Sequence, residues 1–156
     1  MKALKIKETL CVALLLIFIF FVVGKAEGSE KSAAQLLESV SAQIQAENLD
    51  ERDNNSFKKN FGLSAHEVDD FAYLSSDDIM NVNEILIVKL KQESDAQTVI
   101  DAIEAHVKSQ RDIFNGYGEE QSELLRNCVI KHSGNCILFV VGKNAQQAED
   151  AFTAAL

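Results

Sequence analysis

Three lysines, Lys2, Lys5 and Lys7, precede an unbroken apolar run over residues 10–23, and beyond it the chain alternates short apolar stripes with polar connectors. A cationic segment followed by an apolar one is the pattern of export. As a helix the 14-residue run reaches about 21 Å against a hydrocarbon core of roughly 30 Å, and Thr9, Gly24 and snorkelling Lys7 and Lys25 lengthen it. Gly24-Lys25-Ala26 is a small-x-small triplet suited to cleavage. Residues 1–26 are therefore expected to be either a signal anchor, crossing the membrane through residues 9–24 with its N-terminus inside, or a signal peptide removed after Ala26. Cys11 lacks the small residues that a lipoprotein box needs before it.

Downstream, Ala33, Leu36, Leu37, Val40 and Ile44 recur at three and four residues, which predicts an amphipathic helix after a short polar tether. A polar connector over residues 48–55 leads to Phe57 and Phe61, one helical turn apart, before Gly62. Ser64 and Glu67 have capping-box spacing, which predicts a third helix burying Val68, Phe71 and Leu74. Residues 85–90 read as a strand apolar on both sides for its first half, which implies cover on both faces of the sheet. A helix follows with Val99, Ile103, Val107 and Phe114 in one stripe, stopped by Asn115-Gly116. Cys128-Val129-Ile130 and residues 136–141 read as two strands of a hairpin about a turn at Ser133-Gly134. Asn144 then caps a last helix, with Gln147 at the reciprocal position and Ala148, Phe152 and Ala155 facing inward.

This order predicts an α+β fold with a small three-stranded sheet, spatial order first-third-second, whose C-terminal half is βαββα. The crossover helix and the last helix are expected on one face, with the N-terminal helices on the other. The expected organisation is an export segment over residues 1–26, a tether and amphipathic helix over 27–54, and a globular domain over 55–156.

About 130 residues beyond the export segment suffice for one core, and a hydrophobic content of 47% with 25% charge is that of a folded domain. From residue 25 on, 12 basic side chains face 23 acidic ones, net −11. That charge repels phosphate backbones and anionic headgroups, so nucleic acid is not an expected partner. It attracts a basic partner or a cation-rich wall.

Catalytic and cofactor signatures are sparse. Gly116-Tyr117-Gly118 follows a helix instead of opening one, so no nucleotide-binding loop is formed, and no cofactor is expected. His66, His106 and His132 are isolated, which argues against metal. His106 at the border of a stripe and His132 beside a turn read as solvated or helix-edge side chains. Asp69-Asp70 and Asp77-Asp78 read as surface acids, since no calcium-loop spacing follows them. Cys128 and Cys136 read as two buried free thiols, because a two-residue Ser133-Gly134 turn sets them on opposite faces. The alternative is a disulfide, which a three-residue loop with a bulge at Gly134 would allow.

From Phe57 to Leu156 the sequence resembles a bacterial family known as domain of unknown function 4358, small exported proteins. The resemblance is carried by Met80-Asn81-Val82-Asn83-Glu84-Ile85, Arg111, Phe114, Gly116-Tyr117, Gln121, Asn127, Gly134-Asn135, Phe139-Val140-Val141, Ala148 and Phe152. It implies an extracytoplasmic, envelope-facing domain and supplies no reaction. Members usually carry a lipoprotein box, so anchoring here would be by peptide, and Cys136 stands where the family tends to have an aromatic ring.

Gly134, Asn127 and Asn135 suit structural roles around the hairpin. Arg111, Tyr117 and Gln121 offer a cationic fork, a ring and an amide where the crossover helix ends, and are the candidate binding residues. The plainer role for Arg111 is to bond backbone carbonyls there. The leading functional expectation is a non-catalytic, membrane-proximal module that binds an envelope protein or cell-wall component. The alternative is an envelope enzyme, hydrolase-like, with a distributed site near Arg111 and Tyr117.

Overall fold

The computed structural model of the chain describes residues 28–44 and 48–156, so the export segment expected over residues 1–26 lies outside the described residues. Among the described residues no helix is long and apolar enough to cross a membrane.

The predicted strand at residues 85–90 forms as β3 (Glu84–Lys89), and all six of its residues are buried. Such a run can only be satisfied at the centre of a sheet covered on both sides. β5 (Cys136–Val141) lies antiparallel beside it, with Glu84 opposite Val141 and Lys89 opposite Cys136. β4 (Val129–Ser133) pairs antiparallel with β5. These three strands stand in the expected order, first-third-second.

The sheet nevertheless has five strands, not three: with β1 (Asp50–Glu51) and β2 (Asp70–Ser75) the order is β1-β2-β3-β5-β4. The helix expected to bury Val68, Phe71 and Leu74 is instead a turn followed by strand β2 (Asp70–Ser75), antiparallel to β3. The capping-box bond does form, Ser64 N–H donating to Glu67 Oε2, but it closes a turn. The deciding factor is β3, whose edge would be left without partners; pairing with β2 satisfies its backbone groups, which a helix there could not. A two-residue β1 (Asp50–Glu51) extends this edge.

One face of the sheet carries Tyr73, Leu86, Val88, Ile137, Phe139 and Val141. It is covered by α2 (Asn54–Phe61), α3 (Ala96–Phe114) and α4 (Glu119–Arg126), through Phe57, Phe61, Val99, Ile103, Val107, Phe114 and Leu125. The other face carries Ala72, Ile85, Ile87, Cys136, Leu138 and Val140, under α1 (Ala33–Ile44) and α5 (Ala145–Ala155). The expectation that the crossover and last helices share a face is thus corrected: α3 and α5 lie on opposite faces, and α5 pairs with α1. Each apolar face needs its own cover, and α1 alone is too narrow for a five-stranded sheet.

The hairpin turn is also one residue displaced from the expected one. Ser133 pairs with Cys136, so the two-residue loop is Gly134-Asn135, with Gly134 at φ +55°. A glycine at the first loop position lets the chain reverse in the sense that matches strand twist. Neither the Ser133-Gly134 turn nor the three-residue bulged loop is formed.

Candidate functional site

The sheet has two ends, and the polar chemistry gathers at the one where β3 begins and β5 finishes. Glu84 opens β3 on the face turned to α3, and only 4% of it is exposed. His106, from the middle of α3, donates from Nε2 to Glu84 Oε1 at 2.8 Å, and the Tyr73 hydroxyl on β2 donates to Glu84 Oε2 at 2.8 Å. Asn60 Nδ2 on α2 donates to the Tyr73 oxygen at 2.8 Å. Both carboxylate oxygens are thereby occupied by groups from a neighbouring strand and a facing helix, the arrangement that makes a buried acid tolerable.

His106 is therefore a buried partner of Glu84, correcting the solvated or helix-edge expectation. Its ring also packs 4.8 Å from Phe61 and 6.2 Å from Phe139, centroid to centroid. Burial, and then the charge and hydrogen bond of Glu84, hold the Tyr73 phenol well above its ordinary range. These three groups form part of the wall of a cleft of about 270 Å³ that Ser76, Asp78 and Gln110 also line.

The candidate binding residues lie on the same end. Arg111 donates from one terminal nitrogen to the Leu125 carbonyl at 2.9 Å, which ties the end of α3 to α4. Gln121 Nε2 donates to the Met80 carbonyl at 3.1 Å, joining α4 to the loop before β3. Tyr117 is 65% exposed, its ring 5.8 Å from that of Phe114. Arg111 and Gln121 thus fix backbone, while Tyr117 presents a ring to solvent. Beside them Ile79 is 88% exposed, with Met80 and Ile113 about half exposed. These four are the exposed large hydrophobics among the described residues.

The structural trio is divided. Asn127 ends α4, its N–H donating to the Glu123 and Leu124 carbonyls. Gly134 and Asn135 form the hairpin loop at the far end of the sheet, where the Asn135 carbonyl accepts from Leu90 N–H at 2.7 Å. His132 Nε2 donates to the Gly134 carbonyl across this loop.

Cys128 and Cys136 are free thiols. Cys128 packs with the α3 face and Cys136 with the α1 and α5 face, so the sheet itself separates them and the alternative disulfide has no path. Burial pushes both thiols up, although the Arg111 charge pulls Cys128 back in part. Among the acid pairs, Asp70 accepts the Ala33 N–H and so caps α1, and Asp77 pairs with Arg52 at 2.6 Å. Among the described residues no group of three or more His, Cys, Asp or Glu side chains is arranged to hold a metal ion.

Sequence reasoning passed over Tyr73, Asn60 and Glu84 as site residues. The available signal was a charged residue directly before the apolar run Ile85-Leu86-Ile87-Val88, with a histidine lying on the apolar stripe of the next helix.

No curated protein matches the chain, and no solved structure does. The profile of the family described as Domain of unknown function (DUF4358) matches residues 42–142, a stretch that holds Tyr73, Glu84, His106, Arg111 and Tyr117, and the chain belongs to that family.

Proposed function

We propose that this protein is an exported, membrane-proximal binding module of the bacterial cell envelope, held by its N-terminal segment and acting without catalysis. The observation that carries the reading is the exposure of Ile79, Met80, Ile113 and Tyr117, on the segments that meet where β3 begins and α3 ends, in a domain whose other large apolar side chains, among the described residues, are buried or half-buried. Apolar side chains of that size at the surface cost free energy in water unless something covers them, and they mark contact sites. The buried Glu84, His106 and Tyr73 are committed to one another, and Arg111 to a carbonyl. That favours a supporting role for the polar groups over the hydrolase-like alternative.

The test is formaldehyde crosslinking in the native host of the full chain and of an Ile113→Asp, Tyr117→Ala variant. A discrete higher-mass species from the membrane fraction, lost in the variant while its melting temperature is unchanged, supports the reading. Products no different from background, or a protein recovered with the cytoplasm, would overturn it.

A further inference from the structure

The cleft of about 270 Å³ is bounded by the β2–β3 connection, the end of α2 and the side of α3. Its buried wall, Tyr73, Glu84 and His106, is committed to internal hydrogen bonds. The amides that line it are not. Gln110 on α3 has no hydrogen-bond partner among the described residues. Asn60 commits Nδ2 to Tyr73 and leaves Oδ1 without a partner, and Asn81 accepts the Asn83 N–H on Oδ1 and leaves Nδ2 without one. Neither end of the Asn83 amide has a partner among the described residues, although its Oδ1 is buried. Side-chain amides left open around one small cleft are groups that the fold itself does not need.

Charge narrows what they could hold. Lys59 lines the cleft without an ion pair among the described residues, Asp78 accepts the Met80 N–H, and Glu84 faces His106. Whether or not His106 carries a proton, the charges of these four side chains sum to zero or to one negative, so an anion gains nothing against the two carboxylates. A cation finds both Glu84 oxygens already bonded and is repelled by Lys59. A neutral ligand whose polar groups each donate and accept, as hydroxyls do, matches amides that offer a donor and an acceptor side by side. Ile79 and Val82 add apolar surface for the C–H face of a ring. The volume is that of about nine waters, enough for one sugar ring with its substituents.

We infer that this cleft binds an uncharged sugar ring, free or as one unit of a glycan chain, with Gln110, Asn81 and Asn60 bonding its hydroxyls. The inference rests on the exported binding module proposed above and adds a ligand class and its place. The sugar is held and not cleaved, because Glu84 has both oxygens bonded within the wall and is no free acid or base.

The experiment is saturation-transfer NMR on the full chain in detergent, with glucose, galactose, mannose, N-acetylglucosamine and the β-1,4-linked tetramer of N-acetylglucosamine as probes. Galacturonate and glucosamine are the charged controls. At least one neutral sugar is expected to bind and both charged controls to give no signal. Gln110→Ala, which removes an amide that bonds nothing in the fold, should weaken binding about tenfold at unchanged melting temperature. Equal affinity for N-acetylglucosamine and its tetramer assigns the cleft to a free sugar, and higher affinity for the tetramer assigns it to a glycan chain. Absence of binding by every neutral sugar overturns the inference, as does equal binding of a charged control, unchanged affinity in Gln110→Ala, or cleavage of the tetramer. The crosslinking test of the binding module uses neither Gln110 nor these probes, so the two readings fail separately.

Discussion

A carboxylate at the mouth of a central strand must find donors or lose its place in the core, and Glu84 finds His106 and Tyr73. Glu84→Ala strands both partners in a nearly dry site, so it should lower unfolding free energy by about 3 kcal/mol. Tyr73→Phe, which leaves Glu84 Oε2 and Asn60 short of one bond each, should cost about 1–2 kcal/mol. Urea unfolding of the two variants checks both, and losses within about 0.5 kcal/mol of zero would show the network to be dispensable. The phenol also makes stability depend on pH in a known direction. Its folded pKa is raised above the ordinary 10.0, so its contribution is complete below that value and is lost as pH climbs past it and the unfolded phenol ionises. The chain has two tyrosines, so in a Tyr117→Phe variant the near-ultraviolet signal of tyrosinate should stay flat beyond pH 10.0 until the protein unfolds. Little of this was legible in the chain, because a histidine on an apolar stripe looks the same whether it meets water or a carboxylate across the core.

Elements were more legible where the periodicity allowed one reading. Val99, Ile103, Val107 and Phe114 fit a helix and nothing else, and α3 forms as expected. Residues 68–75 allowed two. Val68, Phe71 and Leu74 lie three apart, but Phe71 and Tyr73 also alternate with Ala72 and Leu74, as a strand covered on both faces requires. Pairing with β3 chose the strand. The hairpin was read in kind but not in register, since Ser133-Gly134 and Gly134-Asn135 are both acceptable two-residue loops and differ by one step in each strand. The observed register leaves both thiols reduced and shielded. Alkylation of the native protein should therefore be slow at Cys128 and slower at Cys136, and complete at both once the protein is unfolded without reductant. Peptide mass mapping that found the pair oxidised to each other would contradict the two-face placement.

At the scale of the whole molecule, the two helical layers follow from which apolar stripe found which face of the sheet. The N-terminal entry depends on a close approach, so Gly28→Ala should destabilise the protein by about 1–3 kcal/mol through overpacking against Asn135. Asn135→Ala removes the two nearest atoms, Oδ1 and Cγ, and should restore much of that loss in the double variant, as thermal melts of the four proteins will show. Additive effects would mean that the segment docks elsewhere. The sequence by itself determined the α+β class, the order of β3, β5 and β4, the stripes of α1, α2, α3 and α5, and family membership, because periodicity and turn residues act over a few neighbours. Only the tertiary structure decided that residues 70–75 are a strand, that α3 and α5 take opposite faces, that Glu84 closes on His106 and Tyr73, and that the exposed apolar side chains lie on the segments that meet where β3 begins and α3 ends. Each of these depends on partners distant along the chain, and local pattern carries no information about which distant groups will satisfy a backbone edge or a buried charge.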